Sequence, residues 1–102
     1  MEEIWKTIWN HTKYEVSNFG RVRYKKTQRL LALCTLKSGY VRVHFDYVHR
    51  LVFEAFYRRL LPNEHCHHLN RMKNCNISTN LVAKDKRLHI AEHNTGREKT
   101  PE

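Results

Sequence analysis

Apolar and polar positions alternate in short runs through the first half of the chain, then change period near residue 48. Tyr14-Glu15-Val16 is a brief β-prone run, Ser17-Asn18-Phe19-Gly20 carries turn residues, and Arg21-Val22-Arg23-Tyr24 alternates basic with apolar. Lys37-Ser38-Gly39 marks a second turn, and Tyr40 to Phe45 is the strongest strand signal, with Arg42 and His44 on the face opposite Val41, Val43 and Phe45. Residues 1–47 are therefore expected to form a small antiparallel sheet with one apolar and one basic side. Val48, Leu51, Val52, Ala55, Phe56 and Leu60 then fall on one stripe of an amphipathic helix, 48–61, which Pro62 closes. His49, beside that stripe, reads as a packed or capping residue. Beyond Pro62 come Asn63-Glu64-His65-Cys66-His67-His68-Leu69, an Asn-rich loop (Asn70, Asn74, Asn76) and the apolar run Thr79 to Val82. Asp85 can cap a last helix from Lys86 to about Asn94, ended by Gly96, with a frayed tail over 97–102. Residues 62–96 thus read as strand, loop, strand, helix, and the fold class as α+β.

A length of 102 residues suits one compact domain and excludes a closed (β/α)₈ barrel, which takes about 250. No apolar stretch approaches the roughly 18 residues of a membrane span, and the acidic, charge-broken start is wrong for a secretion signal, so a soluble, intracellular protein is expected. Cys34, Cys66 and Cys75 are odd in number and lack a C-x-x-C pair, which argues for small, partly buried thiols in a reducing compartment and against a disulfide framework. The net charge of +9 is concentrated: between Val16 and Phe45 lie Arg21, Arg23, Lys25, Lys26, Arg29, Lys37 and Arg42, with no Asp or Glu. Such a surface attracts a polyanion. By itself it is equally the mark of a solvated face; interleaving with Tyr14, Phe19, Tyr24 and Tyr40 favours nucleic acid but supplies no chemistry.

Chemistry enters with the histidines, five of the eight lying between positions 65 and 93. His89 and His93 are four apart and share one face of a helix, where two imidazoles can hold one metal ion. The zinc-protease pattern is excluded, because Ile90 rather than Glu follows the first of them. A ββα unit of this length can fold the strand holding His65, His67 and His68 back against that helix. Three imidazoles would then surround a divalent ion and leave positions open, with a further histidine beside it as a general base. In a regular strand His65 and His67 share a face and His68 points away. Ligand and base are both served only if the strand twists or ends there; otherwise His65 replaces His67.

From Cys66 to about Asn94 the chain resembles the ββα-metal, or HNH, endonucleases: paired histidines, an Asn-rich turn, Asn80-Leu81, then H-x-x-x-H. Upstream, Trp5-Lys6-Thr7-Ile8 and the string YEVSNFGRVR (Tyr14 to Arg23) are similar to the motif that precedes HNH domains in phage and intron-encoded homing nucleases, and His49 to Phe56 matches the linking helix. The resemblance implies a DNA-binding β region over 1–47, a linking helix over 48–61 and a nuclease motif over 62–96. It makes His68 the general base and Asn80 the middle asparagine that ties the site's loop together. His67, His89 and His93 become ligands of one divalent metal ion, Zn²⁺ by affinity, with Mg²⁺, Mn²⁺ or Ni²⁺ able to support activity. The reaction implied is hydrolysis of phosphodiesters in double-stranded DNA to 5′-phosphate and 3′-hydroxyl ends, by a monomer or weak homodimer that nicks. Phosphate contacts would come from the seven basic residues named above with Arg71 and Lys73, and the setting would be the cytoplasm of a bacterial host, the gene phage- or intron-encoded. One departure is visible: many relatives have D-G-N after the paired histidines, where this chain has Asn70-Arg71-Met72. The competing readings are a non-catalytic zinc-stabilised DNA-binding module, a small RNA-binding domain, and a basic α+β domain with incidental histidines.

Overall fold

The computed structural model describes residues 2–86. Three short strands open the chain, β1 (Trp5–Ile8), β2 (His11–Ser17) and β3 (Val22–Tyr24), in one antiparallel sheet of that order. The predicted Ser17–Gly20 turn joins β2 to β3. The Ser17 hydroxyl accepts the N–H groups of Phe19 (3.1 Å) and Arg21 (3.2 Å), and Gly20 takes φ +90°, a conformation that costs an L side chain. Glu15 and Arg23 face each other across the ladder and pair at 2.9 Å.

A second antiparallel sheet contains β4 (Cys34–Thr35), β5 (Val41–Val43) and β6 (Asp46–Tyr47). The residues up to Tyr47 thus form two three-stranded sheets where one was expected. Lys25-Lys26-Thr27-Gln28 is an all-polar run with no apolar face to pair, and the chain reverses there with Gln28 at φ +61°, after which Leu30 makes a single bridge to Arg23. In β5 the alternation holds: Val41 and Val43 are buried and Arg42 between them is half-exposed.

Helix α1 (Val48–Phe56) follows the predicted stripe, with Val48, Leu51, Val52 and Phe53 buried. It ends several residues before Pro62, however. Tyr57 leaves the helical region at φ −122°, ψ −77°. The N–H of Leu60 is then taken by the Glu54 carboxylate (2.9 Å) and that of Leu61 by Glu64 (3.0 Å), which also pairs with Arg58 at 2.7 Å. Side chains, not a further helical turn, satisfy these donors. Strands β7 (Glu64–His68) and β8 (Leu81–Asp85) form an antiparallel pair, joined by a long loop that closes in a 3₁₀ turn, Ser78–Asn80.

One apolar cluster takes Ile8, Val16 and Val22 from the first sheet, Val41 and Val43 from the second, four residues from α1, Cys66 from β7 and Leu81 from β8. Leucine, valine and aromatic side chains removed from water in this way are the main stabilising term, ~25 cal/mol per Å². The Cys66 thiol also approaches the His49 carbonyl (3.6 Å), fastening β7 to the first turn of α1. Cys34 is exposed, against the expectation of partial burial, because β4 is an edge strand of its sheet. No helix among the described residues is long and apolar enough to cross a membrane. The helix expected from Lys86 to Asn94, with His89 and His93, and the tail 97–102 lie outside the described residues, Lys86 excepted.

Candidate functional site

β7 stops at His68, and Leu69-Asn70 turn away from it. His67 stands opposite Val82 and His68 opposite Leu81, and both residues are buried, 7% and 3% exposed. Cys66, His67 and His68 are buried in succession, so both faces of this end of β7 are covered. His65, opposite Lys84, is less buried than either.

The Nε2 of His68 lies 2.8 Å from Oδ1 of Asn76, itself only 5% exposed. A carbonyl oxygen accepts and cannot donate, so Nε2 carries the hydrogen and, in the neutral ring, Nδ1 is the basic nitrogen. The His68 ring packs against His49 (centroids 5.0 Å) and Tyr40 (6.1 Å). His49 is buried, and its Nδ1 has no hydrogen-bond partner among the described residues. Burial above all, then the charges of His68, Arg50 and His65, pushes its pKa down to about 3, so its ring is neutral. The sequence reading of His49 as a packed residue is right, yet its neighbour is the paired-histidine strand, which periodicity within one helix has no means of indicating.

The loop between β7 and β8 is closed by Asn80. Its Nδ2 donates to Asn70 Oδ1 and to the Cys75 carbonyl (2.9 Å each), and its Oδ1 accepts the Asn70 N–H (3.0 Å). Asn70 Oδ1 also receives the Met72 N–H at 2.9 Å. Between them Arg71 sits at φ +63°, the left-handed region, at the position where the resembled pattern has glycine. Asn76 entered the sequence reading only as part of an Asn-rich loop; its role as the partner of His68 had no local signal beyond that richness.

Of the three expected metal ligands, His67 is placed at the end of β7, and His89 and His93 fall outside the described residues. Among the described residues no group of three His, Cys, Asp or Glu side chains converges closely enough to hold an ion. The donor that is present, a histidine in a buried strand end beside a second histidine, suits a borderline divalent cation better than a hard one.

The basic residues divide by their partners. Arg21 makes a two-pronged ion pair with Glu3, which holds the Glu3 carboxyl below its usual range and raises the Arg21 guanidinium. Arg23 pairs with Glu15 and lies over the Trp5 ring at 3.9 Å, with Arg21 at 5.5 Å. Lys25, Lys26, Arg29 and Lys37 are exposed. Lys25 and Lys26 share a groove of about 510 Å³ with Lys13, which the sequence reading missed because it precedes the carboxylate-free stretch. Arg42 is half-buried, donating from Nε to the Val43 carbonyl (3.1 Å) over the Tyr47 ring. Arg71 is exposed on the loop, and Lys73 reaches the Ser38 carbonyl (3.1 Å) across Tyr40 (4.8 Å), the ring that touches His68.

Set beside known proteins, residues 3–46 match the family model of the NUMOD4 motif, a motif found upstream of HNH endonuclease domains. The fold is similar to a solved structure of DNA binding and cleavage by the HNH homing endonuclease I-HmuI, with a TM-score of 0.74, 30% sequence identity and 94% of this chain covered. The chain spans 60% of the length of that protein. No curated protein matches its sequence. The resemblance read from the paired histidines and the YEVSNFGRVR string, and the α+β class, are borne out.

Proposed function

We propose that the protein is a metal-dependent DNA endonuclease of the HNH type that hydrolyses phosphodiesters with His68 as general base. The observation that carries the reading is the setting of His68: buried at the end of β7, with its Nε2 held at 2.8 Å by the Asn76 side-chain oxygen. DNA has no 2′-hydroxyl to attack its own phosphate, so the nucleophile is water, and Nδ1 takes its proton. His67, with His89 and His93, would hold the divalent ion. When bound, that ion supplies positive charge for the oxygens on which negative charge grows. Asn80 keeps the loop between β7 and β8 closed beside the base. The neutral His49 ring adds no positive charge beside His68. Duplex DNA would lie along Lys13, Lys25, Lys26, Arg29, Lys37, Arg71 and Lys73, whereas Arg21 and Arg23, paired with Glu3 and Glu15, serve the first sheet before they serve phosphate.

Relaxation of supercoiled plasmid by the purified chain, stripped of metal and then given Mn²⁺, Mg²⁺ or Zn²⁺, tests the reading. His68→Ala should lower the rate by ~10²–10⁴-fold while metal content is unchanged. His67→Ala should lower both. Metal binding with no cleavage of any DNA by the unaltered protein would leave a DNA-binding module and end the nuclease reading.

A further inference from the structure

The Asn76 side chain that holds His68 is pressed from behind by the upstream motif. A Cβ built on Gly20 would stand 2.9 Å from the Asn76 Cβ and 3.2 Å from its carbonyl oxygen, closer than side-chain carbons approach. Two residues further on, the Ser78 N–H donates to the Asn18 carbonyl at 2.8 Å. Asn18 is in turn anchored: its Oδ1 accepts the Ile4 N–H (2.7 Å), its Nδ2 donates to the Glu2 carbonyl (3.0 Å), and it is 5% exposed. Ser17, fully buried, closes the same turn through its hydroxyl. The turn Ser17–Gly20 is thus a fixed wall against which residues 76–78 lie.

We propose that this turn of the N-terminal motif is a structural part of the nuclease site: Gly20 and Asn18 set the position of Asn76, and Asn76 fixes the tautomer and direction of the His68 ring. Asn76 and Gly20 are positioning residues. The inference rests on the reading of His68 as general base. It gives the motif a task besides contact with DNA, and it gives the Ser, Asn and Gly of the turn separate physical reasons. A hydroxyl caps the turn, an amide ties it to the segment ahead of β1, and a missing Cβ admits the Asn76 backbone.

The test combines long-range ¹H–¹⁵N correlation of the histidine rings in the full chain with plasmid nicking kinetics. In the unaltered protein the neutral His68 ring should be the Nε2–H tautomer. Asn76→Ala should give a mixture of tautomers and lower kcat on the order of 10–100-fold, with KM for DNA changed less than about twofold. Gly20→Ala should move both readouts in the same direction. Gly39→Ala supplies the comparison for backbone strain: Gly39 also has positive φ (+97°), but a Cβ there meets only the Lys73 side chain, at 3.4 Å, so the His68 tautomer should stay as it is. An unchanged tautomer in Asn76→Ala overturns the proposal even where Gly20→Ala fails to fold. So does a loss confined to KM, or a Gly39→Ala effect equal to that of Gly20→Ala. Failure of the underlying reading is separately visible, as nicking that survives His68→Ala whatever the tautomer.

Discussion

The imidazole of His49 packs at a tilt against that of His68 inside the protein, and a proton on His49 would place an unsolvated charge there. Its folded pKa of about 3 lies below the ordinary histidine value of 6.5, so between those values the unfolded chain binds more protons than the folded one. The stability that depends on a neutral His49 is complete above pH ~6.5 and declines as pH falls toward 3, by about 1.4 kcal/mol per pH unit at most. Urea midpoints at pH 7, 5.5 and 4 check this: the unaltered chain should lose stability more steeply than His49→Leu over the same interval. Glu64 contributes lower down. Its carboxyl, held by Arg58 and the Leu61 N–H, has a pKa near 2, and the stability it gives is lost only as pH falls from ~4.5 to 2. Arg71 carries a backbone conformation that glycine adopts without strain. Arg71→Gly should therefore raise the urea midpoint by ~0.5–1 kcal/mol equivalent, while weakening DNA binding if Arg71 meets phosphate.

Among the elements, α1 does the most to join the parts. It brings Val48, Leu51, Val52 and Phe53 to a cluster shared with both sheets and with β7 and β8. Leu51→Ala should cost ~2–5 kcal/mol, read as a lowered midpoint in thermal or urea unfolding. The start and apolar face of this helix were legible, because Val48, Leu51, Val52, Ala55 and Phe56 repeat at helical spacing over a single continuous segment. Its end was not. Leu60 continues the pattern, but the N–H groups of Leu60 and Leu61 are claimed by Glu54 and Glu64, an arrangement fixed by tertiary approach. Strand β5 and the turns at Gly20 and Gly39 were equally plain in alternation and turn residues. The separation into two sheets was not, since β4 is two residues long and exposed and carries no alternation to read. At the site, the paired histidines and Asn80 were legible through the resemblance to the HNH pattern. The His49 contact and the wall behind Asn76 depend on segments distant in the chain, and the His68–Asn76 bond spans an irregular loop, so no periodic pattern encodes them.

At the scale of the whole molecule the surplus of positive charge is unevenly available. Arg21 and Arg23 are committed to carboxylates and to Trp5, whereas Lys25, Lys26 and Arg29 stand in solvent. If the exposed group neutralises phosphates, Lys25→Ala, Lys26→Ala and Arg29→Ala should each reduce the slope of log Kd against log salt by about 1 for duplex DNA. Arg21→Ala should act mainly on folding. Titration of a labelled duplex at several salt concentrations separates the two classes. The apolar cluster has no seam between the segment that matches the upstream motif and the strands that carry the histidines: Val16, Val22 and Val43 pack in one body with Val48, Val52, Cys66 and Leu81. Genetic exchange that replaced residues 3–46 with a relative's copy would have to import side chains of matching volume at each of those points. The two segments are thus a fitted pair, and a chimera assembled at the junction before α1 would need its buried partners mended before it could work.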